Sequence, residues 1–258
     1  MANTQLSLNQ TIMSTQWQNY LQQVLGEKKE QFVTSCISLV RQNAMLQKCD
    51  PTSVITAAMS AACLNLSTDP NLGESYVIPY GNQCTFQIGY LGFIQLALQT
   101  GQFARLNVTD VREGEIKFDR LSGDATMVDI ENRETKPIVG YAAYMRLVNG
   151  FEKTLYMTVE ELKQHGQKYS KSGKLWQSDF DKMAQKTVLK MLLRKFAPKS
   201  FEKINNAIAY DQAVLKPDFK TGGIETQYID RKEPAVETES DIANESIVVE
   251  ANESEEAV

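Results

Sequence analysis

The spacing of apolar and polar positions divides the chain into a helical N-terminal part, a strand-rich middle and a helical return. Ser14 is placed to cap a helix running to Leu25. Phe32, Cys36, Leu39, Val40 and Ala44 then recur at helical spacing. Asp50-Pro51 sets a capping carboxylate before a proline at the first helical position, which predicts a helix through Ala62. Leu66 to Gly73 reads as a loop. From Ser75 the period changes to two. Tyr76–Tyr80 and Cys84–Ile88, joined through Gly81-Asn82-Gln83, predict a hairpin.

Gly89-Tyr90-Leu91-Gly92 opens a further helix with Phe93, Leu96 and Ala97 on one face and Gly101 just past its end. Phe103 to Thr158 reads as antiparallel strands, with turns at Glu113-Gly114, Ser122-Gly123-Asp124 and Asn149-Gly150. Thr158 and Glu161 form a capping box for a short helix. A basic link, Lys168 to Lys174, precedes a helix that starts between Ser178 and Asp181 and stops before Pro198. Phe201 to Ala213 supports another helix, and beyond about Pro217 the pattern dissolves.

Composition excludes several classes. At 258 residues and 42% hydrophobic, the chain suits one large domain or two small ones with a real core. No apolar run approaches ~18 residues, so no membrane span is expected. No basic residue precedes Lys28, so no secretory leader is expected and the protein reads as intracellular. Cys36, Cys49, Cys63 and Cys84 include no C-x-x-C pair, and His165 stands alone, which removes zinc ribbons and multi-histidine metal sites. There is no phosphate loop of the G-x-x-x-x-G-K-[ST] type and no G-x-G-x-x-G, so no cofactor is expected.

The net charge of −5 hides a segregation. Asp230 to Val258 holds ten acids against Arg231 and Lys232, a net of −8, which leaves +3 for the rest. Residues 153–203 alone carry +7. A basic core beside an acidic run suggests a polyanion as the core's partner.

Within that basic stretch, Lys182, Lys186, Lys190 and Arg194 recur every four residues. On a helix this row drifts only ~40° per step and sets cations ~6 Å apart along the axis. Phe180, Met183, Ala184, Val188, Leu189, Met191, Leu192, Leu193 and Phe196 fill most of the remaining circumference. A solvated face usually interleaves acids with such a row, yet no Asp or Glu lies between Lys182 and Ser200. Phosphates facing the row explain this pattern better than water does. At Gln87-Ile88-Gly89-Tyr90-Leu91-Gly92, two readings stay open: backbone N–H groups at a helix start that receive an anion, or a tight corner and nothing more. Tyr90 or a neighbouring ring could stack on a base. Arg105, Arg112, Lys117, Arg120 and Arg133 mix with Asp110, Glu113, Glu115 and Asp119, as an exposed sheet face or as a carboxylate metal site.

QIGYLGFIQLALQTGQ (Gln87 to Gln102) and the Trp176–Ser200 segment with DFDKMAQKTVLKMLLRKFAPKS resemble the two signature regions of the RecT/Redβ family. These are phage-type single-strand annealing proteins. The resemblance spans about Phe32 to Ala213. It implies ATP-independent binding of single-stranded DNA, assembly into a homo-oligomer (ring or helical filament), annealing of a complementary strand to give duplex DNA, and work in the cytoplasm of a bacterial host. It also implies a partner exonuclease, contact with the host single-strand binding protein, and a core related to the Rad52 type.

The expectation is therefore an α+β fold, a curved antiparallel sheet packed with helices. Residues 1–30 would form a helical arm, 31–215 the DNA-binding core and 216–258 a flexible acidic tail. Lys182, Lys186, Lys190, Arg194, Gln87, Gly89, Tyr90, Gly92, Arg105, Arg112 and Lys117 are the DNA-contact candidates, with no catalytic residue and no metal. The rival classes are a metal-dependent DNA-processing enzyme using carboxylates between Asp110 and Asp119, and a passive coat that binds a strand but slows its pairing.

Overall fold

The computed structural model describes residues 7–119, 121–170 and 173–228. The acidic run from Asp230 on, and with it the expected flexible tail beyond Tyr228, lies outside the described residues, as does Arg120. The N-terminal part is helical: α1 (Leu8–Ile12), α2 (Thr15–Leu25), α3 (Lys29–Gln42) and α4 (Pro51–Cys63). Ser14 caps α2, and the Asp50 carboxylate caps α4 by accepting from the Ser53 N–H at 2.9 Å. Helix α4 is buried along most of its length. Two of its buried polar residues bond strands. Ser53 Oγ accepts from the Cys84 N–H at 2.9 Å, and Thr56 Oγ1 donates to the Leu215 carbonyl at 2.7 Å. Each such bond contributes about 1 kcal/mol, and orphaning its buried partner costs about 1–3 kcal/mol.

The chain continues as β1 (Ser75–Tyr80), β2 (Gln83–Ile88), α5 (Tyr90–Thr100), β3 (Phe103–Arg112), β4 (Ile116–Phe118) and β5 (Ala125–Met127). Then come β6 (Ile138–Leu147), β7 (Glu152–Thr158), α6 (Val159–Tyr169), α7 (Lys174–Ser178), α8 (Phe180–Phe196), α9 (Glu202–Tyr210), β8 (Ala213–Pro217) and β9 (Ile224–Tyr228). The fold is α+β with antiparallel pairing throughout the described sheets. The strands divide among three sheets, ordered β1-β2-β8-β9, β3-β6-β7 and β4-β5. Helix α4 packs on the four-stranded sheet and α8 on the three-stranded one. On β6, Tyr141, Ala143 and Met145 are buried in the core, while Arg146 near its end is exposed.

Three boundaries differ from the sequence reading. The helix expected over 201–213 ends at Tyr210. Gln212 takes a left-handed φ of 67° and Ala213 starts β8. The turn is held because the Gln212 N–H donates to the Phe86 carbonyl at 2.7 Å and Ala213 pairs with Phe86. Regular structure also continues beyond residue 216, since β9 completes the four-stranded sheet. Finally, the expected arm and the start of the expected tail pack on each other. Phe219 meets Trp17 and Tyr20 edge-on at 5.1 and 5.2 Å, and Tyr20 donates to the Gly223 carbonyl at 2.9 Å. Ile12, Trp17, Tyr20 and Leu21 belong to the common core. Composition had no means of showing this, because the partners lie some 200 residues apart in sequence.

Candidate nucleic-acid interface

Helix α8 carries the four-residue cationic row, and its slant takes the row from solvent into the protein. The Lys182 side chain is 79% exposed and pairs with Asp179 at 3.0 Å. One turn on, the Lys186 side chain is only 10% exposed, and its ammonium lies 2.8 Å from Asp211 Oδ1. Lys190, partly exposed, lies 2.8 Å from Asp211 Oδ2. The same carboxylate accepts from the Ile88 N–H at 3.2 Å. Asp211 is thus buried and fully engaged. Burial alone would raise its pKa, but the two ammonium groups outweigh that and hold it down to about 2. The acids missing from the helix come from either side of it, Asp179 before and Asp211 after. Lys186 is accordingly a buried ion-pair partner and not part of an open row, which corrects the reading of four equivalent cations.

Beside this network lies a cleft between α6, α7, α8 and the β2–β8 corner, lined by Gln87, His165, Tyr169, Trp176, Lys190 and Arg194, with Lys186 and Asp211 also bordering it. The lining thus brings Lys186, Lys190 and Arg194 to one cleft with the Asp211 carboxylate. The aromatic wall depends on Gly166. A Cβ there would lie 2.7 Å from Trp176 Cδ2, so only a glycine lets the indole rest on α6. Rings continue inward: His165 to Tyr169 at 4.6 Å, His165 to Trp176 at 6.2 Å, Trp176 to Phe180 at 5.7 Å and Phe180 to Tyr141 at 6.3 Å. Tyr141 donates its hydroxyl hydrogen to Asp181, and burial together with that carboxylate pushes the phenol's pKa up. A cationic strip beside a ladder of rings can hold a phosphate backbone on one side and stack bases on the other.

The remaining candidates are dispersed. Gly89 and Gly92 are buried, and a Cβ on either would lie 2.0 Å from the Gly73 carbonyl oxygen or 2.1 Å from that of Glu74. The pair serves a close backbone approach, with the Gly89 N–H donating to Glu74 O at 2.8 Å. That approach by itself accounts for glycine at both positions. Tyr90 is half-buried and packs against the core. Arg112 is committed to Asp110 at 3.3 Å and to the Lys136 carbonyl at 2.6 Å. Arg105 is exposed on β3, directly across from Arg146, and Lys117 is exposed on the β4–β5 hairpin. Asp110 and Glu115 are engaged by Arg133 at 3.2 and 2.5 Å, while Asp119 accepts backbone N–H groups of its own turn. Among the described residues no group of three His, Cys, Asp or Glu side chains could hold a metal ion. Likewise no described helix is long and apolar enough to cross a membrane.

Sequence reasoning missed Asp211, Tyr169, Trp176 and His165 as parts of one site. Only Trp176 carried a signal, as the first residue of the second signature segment.

Comparison with known proteins places most of the chain in one family. The RecT family model matches residues 30–230. The chain is 42% identical over 220 residues to the uncharacterized protein YqaK of Bacillus subtilis (strain 168), covering 85% of this chain and 77% of that protein. It is 29% identical over 194 residues to Protein RecT of Escherichia coli (strain K12), covering 71% of each.

Proposed function

This chain belongs to the RecT family of single-strand annealing recombination proteins, and on that premise we propose that it grips one DNA strand in the α6–α8 cleft and, without ATP, offers its bases to a complementary strand. The observation carrying this reading is the meeting of cations and rings in one cleft. Lys190 and Arg194 neutralise phosphates, and Lys186, held by Asp211, adds positive potential from behind. Trp176 and Tyr169 offer ring faces to bases, and Gln87 a hydrogen-bonding amide. Pairing is downhill by about 1.4 kcal/mol per base-pair step, so it needs no nucleotide fuel. What slows free strands is self-pairing and mutual repulsion. A backbone clamp removes both.

Copies of the chain bind in series along one strand, as a ring or helical filament, and hold the annealed duplex as product. A partner exonuclease supplies the strand and a host single-strand binding protein yields it, in the cytoplasm of a bacterial cell. These relations follow from the family resemblance.

The test is strand pairing in EDTA without nucleotide, read by fluorophore–quencher proximity on two complementary oligonucleotides. Acceleration above the protein-free rate is expected. Lys190→Ala with Arg194→Ala should lower the salt slope of single-strand binding by about 1.4, at ~0.7 per lost phosphate contact. A folded double variant with an unchanged slope would remove the cleft from the mechanism. Tight binding with slower pairing would leave a passive coat.

A further inference from the structure

We propose that the outer face of the three-stranded sheet, around Arg105, Arg146 and Tyr144, is a second nucleic-acid site, which takes the phosphate backbone of the complementary strand. This rests on the annealing function proposed above, with the cleft holding the first strand.

The face is built by register. Helix α8 packs on the inner side of β3-β6-β7, where Tyr141, Ala143 and Met145 are buried. Their neighbours along β6 point the other way. Across the strands these form two rows, Arg105–Arg146–Glu152 and Asn107–Tyr144–Thr154. Beyond them the β4–β5 hairpin closes the face: Phe118 meets the Tyr156 ring at 5.9 Å, and Ala142, the register partner of Tyr156, is buried. The first two rows stay open, with Arg105, Asn107, Arg146 and Glu152 exposed. At their open end the β6–β7 turn exposes Val148 and Phe151.

An irregularity in the ladder makes this face cationic. Phe103 pairs with Leu147, and an unbroken ladder would set Ala104 opposite Arg146. The register shifts at this point, so Arg105 takes that place instead. Like charges directly opposite on a sheet are destabilising. Little on the face offsets them. Among the described residues Arg105 forms no ion pair, and Arg146 reaches Glu152 only at 3.9 Å. The closer contact of that carboxylate is the Tyr144 hydroxyl, which donates to it at 2.7 Å. The charges acting on that hydroxyl are those of Glu152, Arg146 and Arg105, two cations to one acid.

This chemistry suits a phosphodiester. Two guanidinium groups side by side present forked N–H donors to phosphate oxygens, and the neighbouring Tyr144 and Phe151 rings offer faces to bases. A phosphate between the arginines removes the repulsion that the bulge creates. The sheet separates this face from the α8 side, where Lys190 and Arg194 border the cleft, so a nucleotide in the cleft does not reach Arg105 of the same copy. A short strand on the outer face is therefore a second one. Held there, the complement is confined to the assembly that carries the first strand, which raises its effective concentration.

The experiment follows oligothymidine binding to the full-length chain by anisotropy, and its stoichiometry by sedimentation, at about 50 mM salt. Wild type should show a tight class of sites and a weaker one. Arg105→Glu puts an acid opposite Arg146. It should raise the melting temperature yet abolish the weaker class and leave the tight class unchanged. A merely structural arginine would move stability and binding together. Arg105→Ala with Arg146→Ala should lose the weaker class as well, without introducing a negative charge. In both variants, pairing of complementary oligonucleotides should slow about tenfold at equal first-strand occupancy. A single class of sites in wild type overturns the inference, as does a weaker class that survives both variants. If the tight class responds to Lys190→Ala with Arg194→Ala while no weaker class exists, only this inference falls. If the tight class follows Arg105 and Arg146 instead of the cleft residues, the functional reading falls with it.

Discussion

Changing Asp211 to Asn keeps the side chain's size and removes the charge that two lysines share. The expected cost follows from exposure. Lys186 is nearly enclosed and cannot move its ammonium into water, whereas Lys190, at 22% exposure, can turn outward and recover hydration. Most of the loss therefore falls on Lys186. Removing one partner of a buried pair costs about 3–5 kcal/mol, and the lower half of that range applies because the Asn oxygen still accepts hydrogen bonds. For a chain of this size, about 3 kcal/mol corresponds to a melting temperature lower by about 6–12 °C.

The assay is urea and thermal unfolding by circular dichroism, with Asp211→Asn/Lys186→Met beside the single variant. The pair of changes should recover most of the loss, since an apolar side chain leaves no stranded charge. Acid provides a second readout. A carboxyl group with a folded pKa of about 2, below the usual ~3.9, stabilises the fold above pH ~4 and loses that contribution as pH falls toward 2. Asp211→Asn should flatten wild-type stability loss across that interval. A single variant melting within about 1 kcal/mol of wild type, with the same acid profile, would refute the claim that Asp211 holds the lysines in place.

Two further outcomes are expected. Gly92→Ala should lower the free energy of unfolding in urea titrations by about 1–3 kcal/mol, because its Cβ would fall 2.1 Å from the Glu74 carbonyl oxygen; unchanged stability with lost DNA binding would favour the anion-site reading instead. Ending the chain after Gly223 should cost on the order of 2 kcal/mol by removing β9, while ending it after Tyr228 should leave the melting temperature unchanged. Equal melting of the two truncated chains would show that β9 adds nothing.

What the sequence disclosed was mainly what neighbours in sequence determine. Ser14, Asp50-Pro51, Thr158 with Glu161, and Gly101 end or begin helices through bonds to residues within a turn or two, and each did so. The β1–β2 hairpin was legible because Gly81-Asn82 lies between its two strands. The division into three sheets was not, since β8 joins β2 across more than a hundred residues. The candidate site shows the same split. Periodicity located the row on α8, but charge compensation by Asp211, the next element's end, leaves no trace in local spacing. Gly89-x-x-Gly92 likewise declared a close approach without saying what approaches.

The Asp211 junction also bears on how the molecule comes into being during synthesis. It ties Ile88 to residue 211, 123 positions later, and through the lysines to α8. No shorter nascent chain can close the cleft, because the residue that organises its cations is made after nearly everything else. Contacts of such long sequence separation form late and slowly. A ribosome-bound or prematurely terminated chain would therefore present Lys186 and Lys190 without their shared carboxylate. On the function proposed above, strand binding at the cleft waits for residue 211 and the elements that follow it.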